Sequence, residues 1–187
     1  MVARILDAGE ATLIAHGYDG ASTNCIAAAA GISPGSLYQY FPHKDAVIAA
    51  VIDRYSDAVA SRVAGKLADQ LGQPATVAAR TTLATLLDAL DVHPQFLRAV
   101  VEQVPRLDFA GKLSAFEQRI GDMITAYLML HRDTVRADMP LDAGAWILVR
   151  TVEHLTVRYI LDRPPIPRER FLDELTRLAL NYLGPAR

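Results

Sequence analysis

The sequence predicts an all-α protein of about nine helices, in which a small N-terminal unit is joined by one long helix to a larger helical domain. Three observations carry that prediction. Apolar residues recur three and four apart in segment after segment, alternating strand patterns and internal repeats are missing, and glycine or proline punctuates the chain where the periodicity stops. With 187 residues, 51% of them hydrophobic and few aromatic, the chain has room for one or two small domains with an alanine- and leucine-rich core.

Arg4 to His16 reads as an amphipathic helix, because Ile5, Gly9 and Leu13 are spaced by four with Leu6 and Ile14 beside them. Gly17 closes it, and Tyr18-Asp19-Gly20 forms the link to the next element. Ser22 or Thr23 caps a second helix, since a hydroxyl there accepts from an orphan backbone N–H. Ile26, Ala27 and Ala30 share one face of that helix, and Gly31 stops it where a left-handed residue is needed. Ser33 followed by Pro34 restarts the helix as an N-cap with proline in the first position. The third helix, Pro34 to Tyr40, turns Leu37 and Phe41 inward. Two helices separated by about four residues with a central glycine describe a helix-turn-helix, and the first helix packs across them.

From Asp45 to about Leu71, Val47, Ile48, Val51, Ile52, Tyr55, Val59, Val63 and Leu67 keep helical spacing until Gly72 and Pro74. That gives roughly 27 residues, or ~40 Å, enough to link the first domain mechanically to the second. Residues 75 to 90 form another helix through Leu83, Leu86, Leu87 and Leu90, and His93-Pro94 breaks it. Gln95 to Val104 is a short helix bearing Phe96, and Pro105 ends it. Residues 112 to 134 form a long helix with Phe116, Ile120, Met123, Ile124 and Tyr127. Leu141 to Leu161 follows the Met139-Pro140 turn, and Pro164-Pro165-Ile166-Pro167 separates it from a last helix, Arg168 to about Leu183. The predicted division is 1–45 for the helix-turn-helix domain, with its motif at about 22–41, and 46–187 for the second domain.

The third helix exposes Gly35, Ser36, Tyr38, Gln39 and Tyr40, hydrogen-bonding or aromatic groups without an acid among them. Phosphate oxygens accept from Ser, Tyr and Gln side chains and from helix N-termini, and Gln can bond adenine bidentately in the major groove. On residue types alone, an ordinary helical hairpin with a polar cover explains the same pattern.

Gly17-Tyr18, Ser22-Thr23, Ile26-Ala27, Gly31-Ile32-Ser33 and the run Gly35-Ser36-Leu37-Tyr38-Gln39-Tyr40-Phe41-Pro42-His43-Lys44-Asp45 resemble the N-terminal domain of TetR-family transcriptional regulators. The likeness covers about the first fifty residues in order and without gaps; the remainder is similar only in helical layout. It implies a dimeric, ligand-responsive DNA-binding protein. On this reading Ser22, Thr23, Ser33, Pro34, Gly35, Ser36, Tyr38, Gln39, Tyr40 and Lys44 face DNA. Thr23, Tyr38, Tyr40 and Lys44 hold phosphates, while Ser36 and Gln39 reach base edges. Family members often carry a basic arm before the first helix, whereas only Met1 to Ala3 precede Arg4 here. Either the natural start lies upstream, or DNA is bound weakly or differently.

Charge runs against the usual pattern of a DNA binder, which neutralises phosphates with Lys and Arg. The chain is formally −2. Within residues 1–55, Arg4, Lys44 and Arg54 are outnumbered by Asp7, Glu10, Asp19, Asp45 and Asp53. No acid falls between Asp19 and Asp45, however, and helix N-termini near Thr23 and Pro34 add partial positive charge.

The last two helices are apolar on more than one side. Phe171, Leu175, Leu178 and Tyr182 make one stripe of the final helix, and Leu172, Ala179 and Leu183 make another. Together with Leu155 and its neighbours, Phe171, Leu175, Leu178 and Tyr182 are candidates for a four-helix homodimer interface with twofold symmetry, unless the intramolecular core consumes them. Phe96, Phe116, Met123, Tyr127, Trp146 and Thr151 are candidates for lining a ligand pocket, though aromatic residues at helical spacing are more often plain core. The resemblance, not the stripe, implies an inducer cavity. Arg150, His154 and Arg158, four apart, suit an anionic ligand, solvent or the dimer seam.

Other chemistry finds little support. Gly31-Ile32-Ser33-Pro34-Gly35 matches the G-x-S-x-G of hydrolases, but that turn needs a preceding strand, and Ser33 is better explained as a cap. His16, His43, His93, His131 and His154 lack ligand spacing, so no metal or cofactor is expected and no enzyme activity. One cysteine, Cys25, fits a reducing cytosol and reads as a small packing residue. No apolar run approaches the ~18 residues of a membrane span. The expected partners are a near-palindromic double-stranded DNA operator, a second copy of the chain and a small apolar or amphipathic effector. The alternative is an all-helical small-molecule-binding dimer with weak or lost DNA binding.

Overall fold

The computed structural model describes residues 1–103 and 110–184, with side chains for 1–101 and 117–184. Among them are nine α-helices and no strand, in agreement with the all-α prediction. The helices are α1 Val2–Gly20, α2 Thr23–Ala29, α3 Pro34–Tyr38, α4 Lys44–Asp69, α5 Ala75–Leu90, α6 Pro94–Gln103, α7 Ala110–Leu130, α8 Leu141–Asp162 and α9 Arg168–Leu183. A 3₁₀ turn, Arg132–Thr134, follows α7.

The chain divides into two compact units, Met1–Asp57 with His93–Lys112 and Ala58–Val92 with Leu113–Arg187. The first division therefore falls within α4 rather than at residue 45. The first unit also takes in α6, because Phe96 and Ala99 belong to its core.

In the first unit, Ile5, Leu6, Leu13, Ile26, Ala27, Leu37, Val47, Ile48, Val51 and Phe96 make one apolar cluster. α1 crosses α4 closely at Gly9, where a Cβ would stand 2.9 Å from Val47 Cγ1 and 3.1 Å from Val51 Cγ2. Arg54 on α4 fixes the same pair of helices from outside, at 2.6 Å from Asp7 and 3.0 Å from Glu10. Tyr55 meets Phe96 edge-on, ring centroids 5.0 Å apart. α1 continues past its expected end, but Gly17 breaks it with φ +65° and ψ 179°, and one further turn leads to Gly20.

In the second unit α5 packs against α9 and α8. The apolar faces are Ala78, Leu83 and Leu87 on α5 and Leu172, Leu175 and Ala179 on α9. Ion pairs join the exposed edges: Arg80 to Glu169 at 2.5 Å and Asp173 at 3.1 Å, and Arg168 to Asp88 at 2.5 Å. Such exposed pairs contribute little individually, so the apolar faces carry the packing. α7 ends at Leu130, earlier than expected, and Arg132 donates to the carbonyls of Arg136 and Ala137 at 2.8 and 2.7 Å, holding the turn that leads to α8.

Candidate nucleic-acid interface and ligand cavity

Local chemistry shapes the helix-turn-helix. Ser22 caps α2 by accepting from the Cys25 N–H at 3.1 Å. At the other end the Gly31 N–H reaches the Ala28 carbonyl and the Ile32 N–H the Ala27 carbonyl, both at 3.0 Å. This paired bonding is the Schellman ending, and Gly31 adopts the φ of +62° that it requires. Ser33 caps α3 by accepting from the Ser36 N–H at 3.1 Å, with Pro34 first in the helix. After Tyr38 the bonding tightens, the Tyr40 and Phe41 N–H groups sharing the Leu37 carbonyl, so α3 is shorter than expected. Leu37 is fully buried beneath it.

The outer face carries Gly35, Tyr38, Gln39 and Tyr40, all exposed. Thr23 and Tyr38 hydroxyls lie 3.1 Å apart, tying the start of α2 to the end of α3. Ser36 is half-buried, its hydroxyl 2.9 Å from that of Ser33. Lys44 is turned inward: its Nζ donates to the Tyr18 and Ala21 carbonyls at 3.0 and 3.1 Å and sits 4.1 Å from the centre of the Tyr18 ring. Two of its three donors are thus spent on the end of α1, an arrangement that no local sequence signal foretells. Tyr18 in turn donates to Asp45 at 2.5 Å, and burial, that bond and the Asp45 charge push its hydroxyl up to about 12. Cys25 is exposed, correcting its reading as a packing residue; the buried face of α2 is Ile26 and Ala27.

The second unit holds a cavity of about 500 Å³. Val63 and Leu67 of α4, Leu83 and Leu86 of α5, Ile120, Ile124 and Tyr127 of α7, Val149 and Val152 of α8 and Leu180 of α9 supply most of its wall. Its polar liners include Thr82, Glu117, His131 and Glu153. Glu117 is only 6% exposed. One of its carboxylate oxygens accepts from Arg150; the other, Oε2, is buried without a hydrogen-bond partner, as is Thr82 Oγ1. Burial pushes the Glu117 carboxyl up against the opposing pull of Arg150. It also pushes up Glu153, helped by the Glu117 charge and opposed by Arg150 and His154.

Of the residues expected at a ligand site, Tyr127 lines this cavity. Phe96 does not: it is fully buried in the core of the first unit, because α6 packs on α1. Met123 and Thr151 are half-buried outside the cavity wall, and Trp146, 61% exposed, lines a second, more polar pocket with Arg150 and Asp142. The side chain of Phe116 lies outside the described residues. Glu117 and Glu153 were missed, although their positions signal them. Glu117 falls in line with Leu113, Ile120 and Ile124, and Glu153 with Val149, Thr156 and Ile160, so each puts a charge on an otherwise apolar stripe. Arg158, grouped in sequence with Arg150 and His154, pairs with Asp162.

At the expected dimer surface, Leu155 and Leu178 are exposed, 37% and 42%, as are Trp146 and Ile147. Leu175 is only 4% exposed, within α9's intramolecular face with Leu172, Thr176 and Ala179, which corrects its place in the interface stripe. Phe171 stacks on Tyr159, centroids 4.0 Å apart, and Tyr182 is half-buried with Arg136 over its ring.

Two family profiles cover most of the chain. The profile described as bacterial regulatory proteins, tetR family, matches residues 5–51, and that of the tetracyclin repressor-like C-terminal domain matches residues 74–183. The chain belongs to the TetR family of transcriptional regulators. Solved structures of other TetR-family regulators share its fold. A TetR-family transcription regulator from Marinobacter aquaeolei is similar with a TM-score of 0.72 at 20% identity, over 98% of this chain and 95% of that one. The fatty acid degradation regulator FadR from Bacillus halodurans gives 0.75 at 17%, over 96% and 94%. The TetR-family repressor FadR from Thermus thermophilus, solved in complex with lauroyl-CoA, gives 0.71 at 21%, over 100% and 97%. No curated protein sequence matches significantly. Among the described residues of this TetR-family chain, no helix is long and apolar enough to cross a membrane, and no group of three or more His, Cys, Asp or Glu is placed to hold a metal ion.

Proposed function

We propose that this TetR-family protein is a dimeric repressor that an apolar or amphipathic small molecule releases from its operator. The observation that carries the reading is the pairing, within one regulator chain, of an exposed acid-free helix face at Tyr38, Gln39 and Tyr40 with a cavity of about 500 Å³, a usual size for a small-molecule site. Each α3 enters a major groove, with Thr23, Tyr38 and Tyr40 on phosphates and Gln39 on a base edge. Leu155 and Leu178 support a twofold contact between α8–α9 pairs, which sets the two readers on half-sites about 34 Å apart. α4 is the coupling element. Val47, Val51 and Ile52 belong to the core of the DNA-reading unit, while Val63 and Leu67 line the cavity, so ligand acts on a helix that both units share. The lauroyl-CoA held by Thermus thermophilus FadR is a precedent for an effector with a long apolar part.

The reading is tested by titrating the DNA upstream of the protein's own gene at fixed low salt, with and without a compound shown by calorimetry to fill the cavity. Operator affinity falls ~5–150-fold with the compound, and saturating operator weakens the compound by the same factor. Ligand affinity indifferent to operator refutes the mechanism.

One observation favours the alternative, a small-molecule-binding dimer with weak DNA affinity. Lys44 and Arg54, two of the three basic residues in the first 55, are engaged within the protein. Failure of any duplex to compete with bulk DNA, with cavity binding intact, would establish it.

A further inference from the structure

The cavity wall is apolar nearly throughout, yet two carboxylates stand in it, and among the described residues neither Lys nor Arg lines it. Glu117 and Arg150 neutralise each other, and Arg150 itself lines the adjoining, more polar pocket instead. Glu153 is left as surplus negative charge, and Glu117 Oε2 as a buried acceptor with no donor. A buried polar group that lacks a partner is costly, and a charged one more so. A bound molecule that supplies a positive charge or several N–H donors satisfies both groups at once. An acyl carboxylate or phosphate instead meets like charge, with His131 the sole imidazole to receive it, and that ring is already turned to the Tyr127 carbonyl at 3.0 Å and stacked on the Tyr127 ring. The same Tyr127 offers an aromatic face to an ammonium group.

We infer that the effector of this cavity is a lipophilic cation, an apolar body carrying an amine or ammonium head that is held between Glu117 and Glu153. The inference rests on the reading of the cavity as the effector site. It separates this chain from an acyl-binding regulator on grounds of charge, whatever the shared fold. Because burial holds both carboxyls up, with Arg150 and His154 opposing, arrival of a cation shifts them toward the ionised form and releases protons.

The test is calorimetry of the full chain with three twelve-carbon probes below their aggregation concentrations: dodecyltrimethylammonium, dodecanol and dodecanoate. The ammonium binds at least tenfold more tightly than dodecanol and more tightly still than dodecanoate. Its heat varies with buffer ionisation enthalpy as proton release requires. Glu153→Gln cuts the ammonium preference to threefold or less and leaves dodecanol within twofold; Glu117→Gln acts alike. Should Glu117→Gln fail to fold, the wild-type series and Glu153→Gln decide the matter. Dodecanoate binding as tightly as the ammonium, or an undiminished preference in Glu153→Gln, overturns the inference while leaving the cavity an effector site. Binding of no probe at all overturns the effector-site reading and the inference with it.

Discussion

The Thr23 hydroxyl and the Tyr38 phenol lie 3.1 Å apart, a bridge from the first residue of α2 to the last of α3 on the outer face of the helix-turn-helix. It ties Tyr38, 53% exposed, to the start of α2, and on the proposed function Tyr38 contacts a phosphate. Removing one neutral hydrogen bond is worth about 0.5–1.5 kcal/mol, or up to roughly tenfold in affinity. Tyr38→Phe and Thr23→Val each weaken operator binding by about that factor, measured by fluorescence anisotropy. The pair is exposed, so stability stays within ~0.5 kcal/mol. The double variant loses less than the product of the single losses.

Two glycines of the first unit resist substitution for different reasons. Gly31→Ala meets open space but forces an L-residue to φ +62°, at about 1–2 kcal/mol. Gly9→Ala keeps a helical backbone but drives a methyl group to 2.9 Å from Val47, an overpacking cost of ~1–3 kcal/mol. Chemical denaturation in a Val47→Ala background separates them. There the Gly9→Ala loss shrinks by more than ~0.5 kcal/mol, whereas the Gly31→Ala loss stays additive.

Glu153 makes the ligand-free protein less stable than it would otherwise be. Its carboxyl is raised in the folded state by burial and by Glu117, against Arg150 and His154. The folded chain therefore holds the proton more tightly than the unfolded chain, and the ionised form is the costly one. The sign follows: wild type loses stability as pH rises through the folded-state value and is relieved below it. Glu153→Gln raises the thermal midpoint at pH 7–8, and the gain over wild type shrinks as pH falls toward 5. A gain that does not depend on pH contradicts this.

The exposed and the buried leucines of the last two helices respond oppositely. Leu178→Glu and Leu155→Glu give a monomer by light scattering with helicity kept. Leu175→Ala leaves the association surface intact but costs ~2–5 kcal/mol of core stability.

Caps and turns were legible in the sequence because their chemistry is local: Ser22, Gly31, Ser33 and Pro34 act on neighbours within four residues. Membership of a core was not. Phe96 sits on a helical stripe that suits either unit, and only the packing of α6 on α1 assigns it to the first. α9 posed the same difficulty. Two adjacent apolar stripes were visible, but which one faces α5 is a tertiary matter, and Leu175 went with the inner face. Glu117 and Glu153 were readable in principle, as charges on apolar stripes, though the donor that Glu117 Oε2 lacks and the cavity that both line are seen only in the fold. Lys44 shows the converse: its chemistry suits phosphate, and its geometry commits most of it to α1.

On the proposed function, two copies of the α3 surface read DNA sequence together. Selection of the full-length protein on a pool of randomised duplexes, followed by sequencing, tests it most directly. A near-palindrome with half-sites about one helical turn apart is expected to be enriched, bound at least ~10³-fold more tightly than unselected duplex at the same salt. A pool that stays unenriched while the cavity still binds its ligand would contradict it.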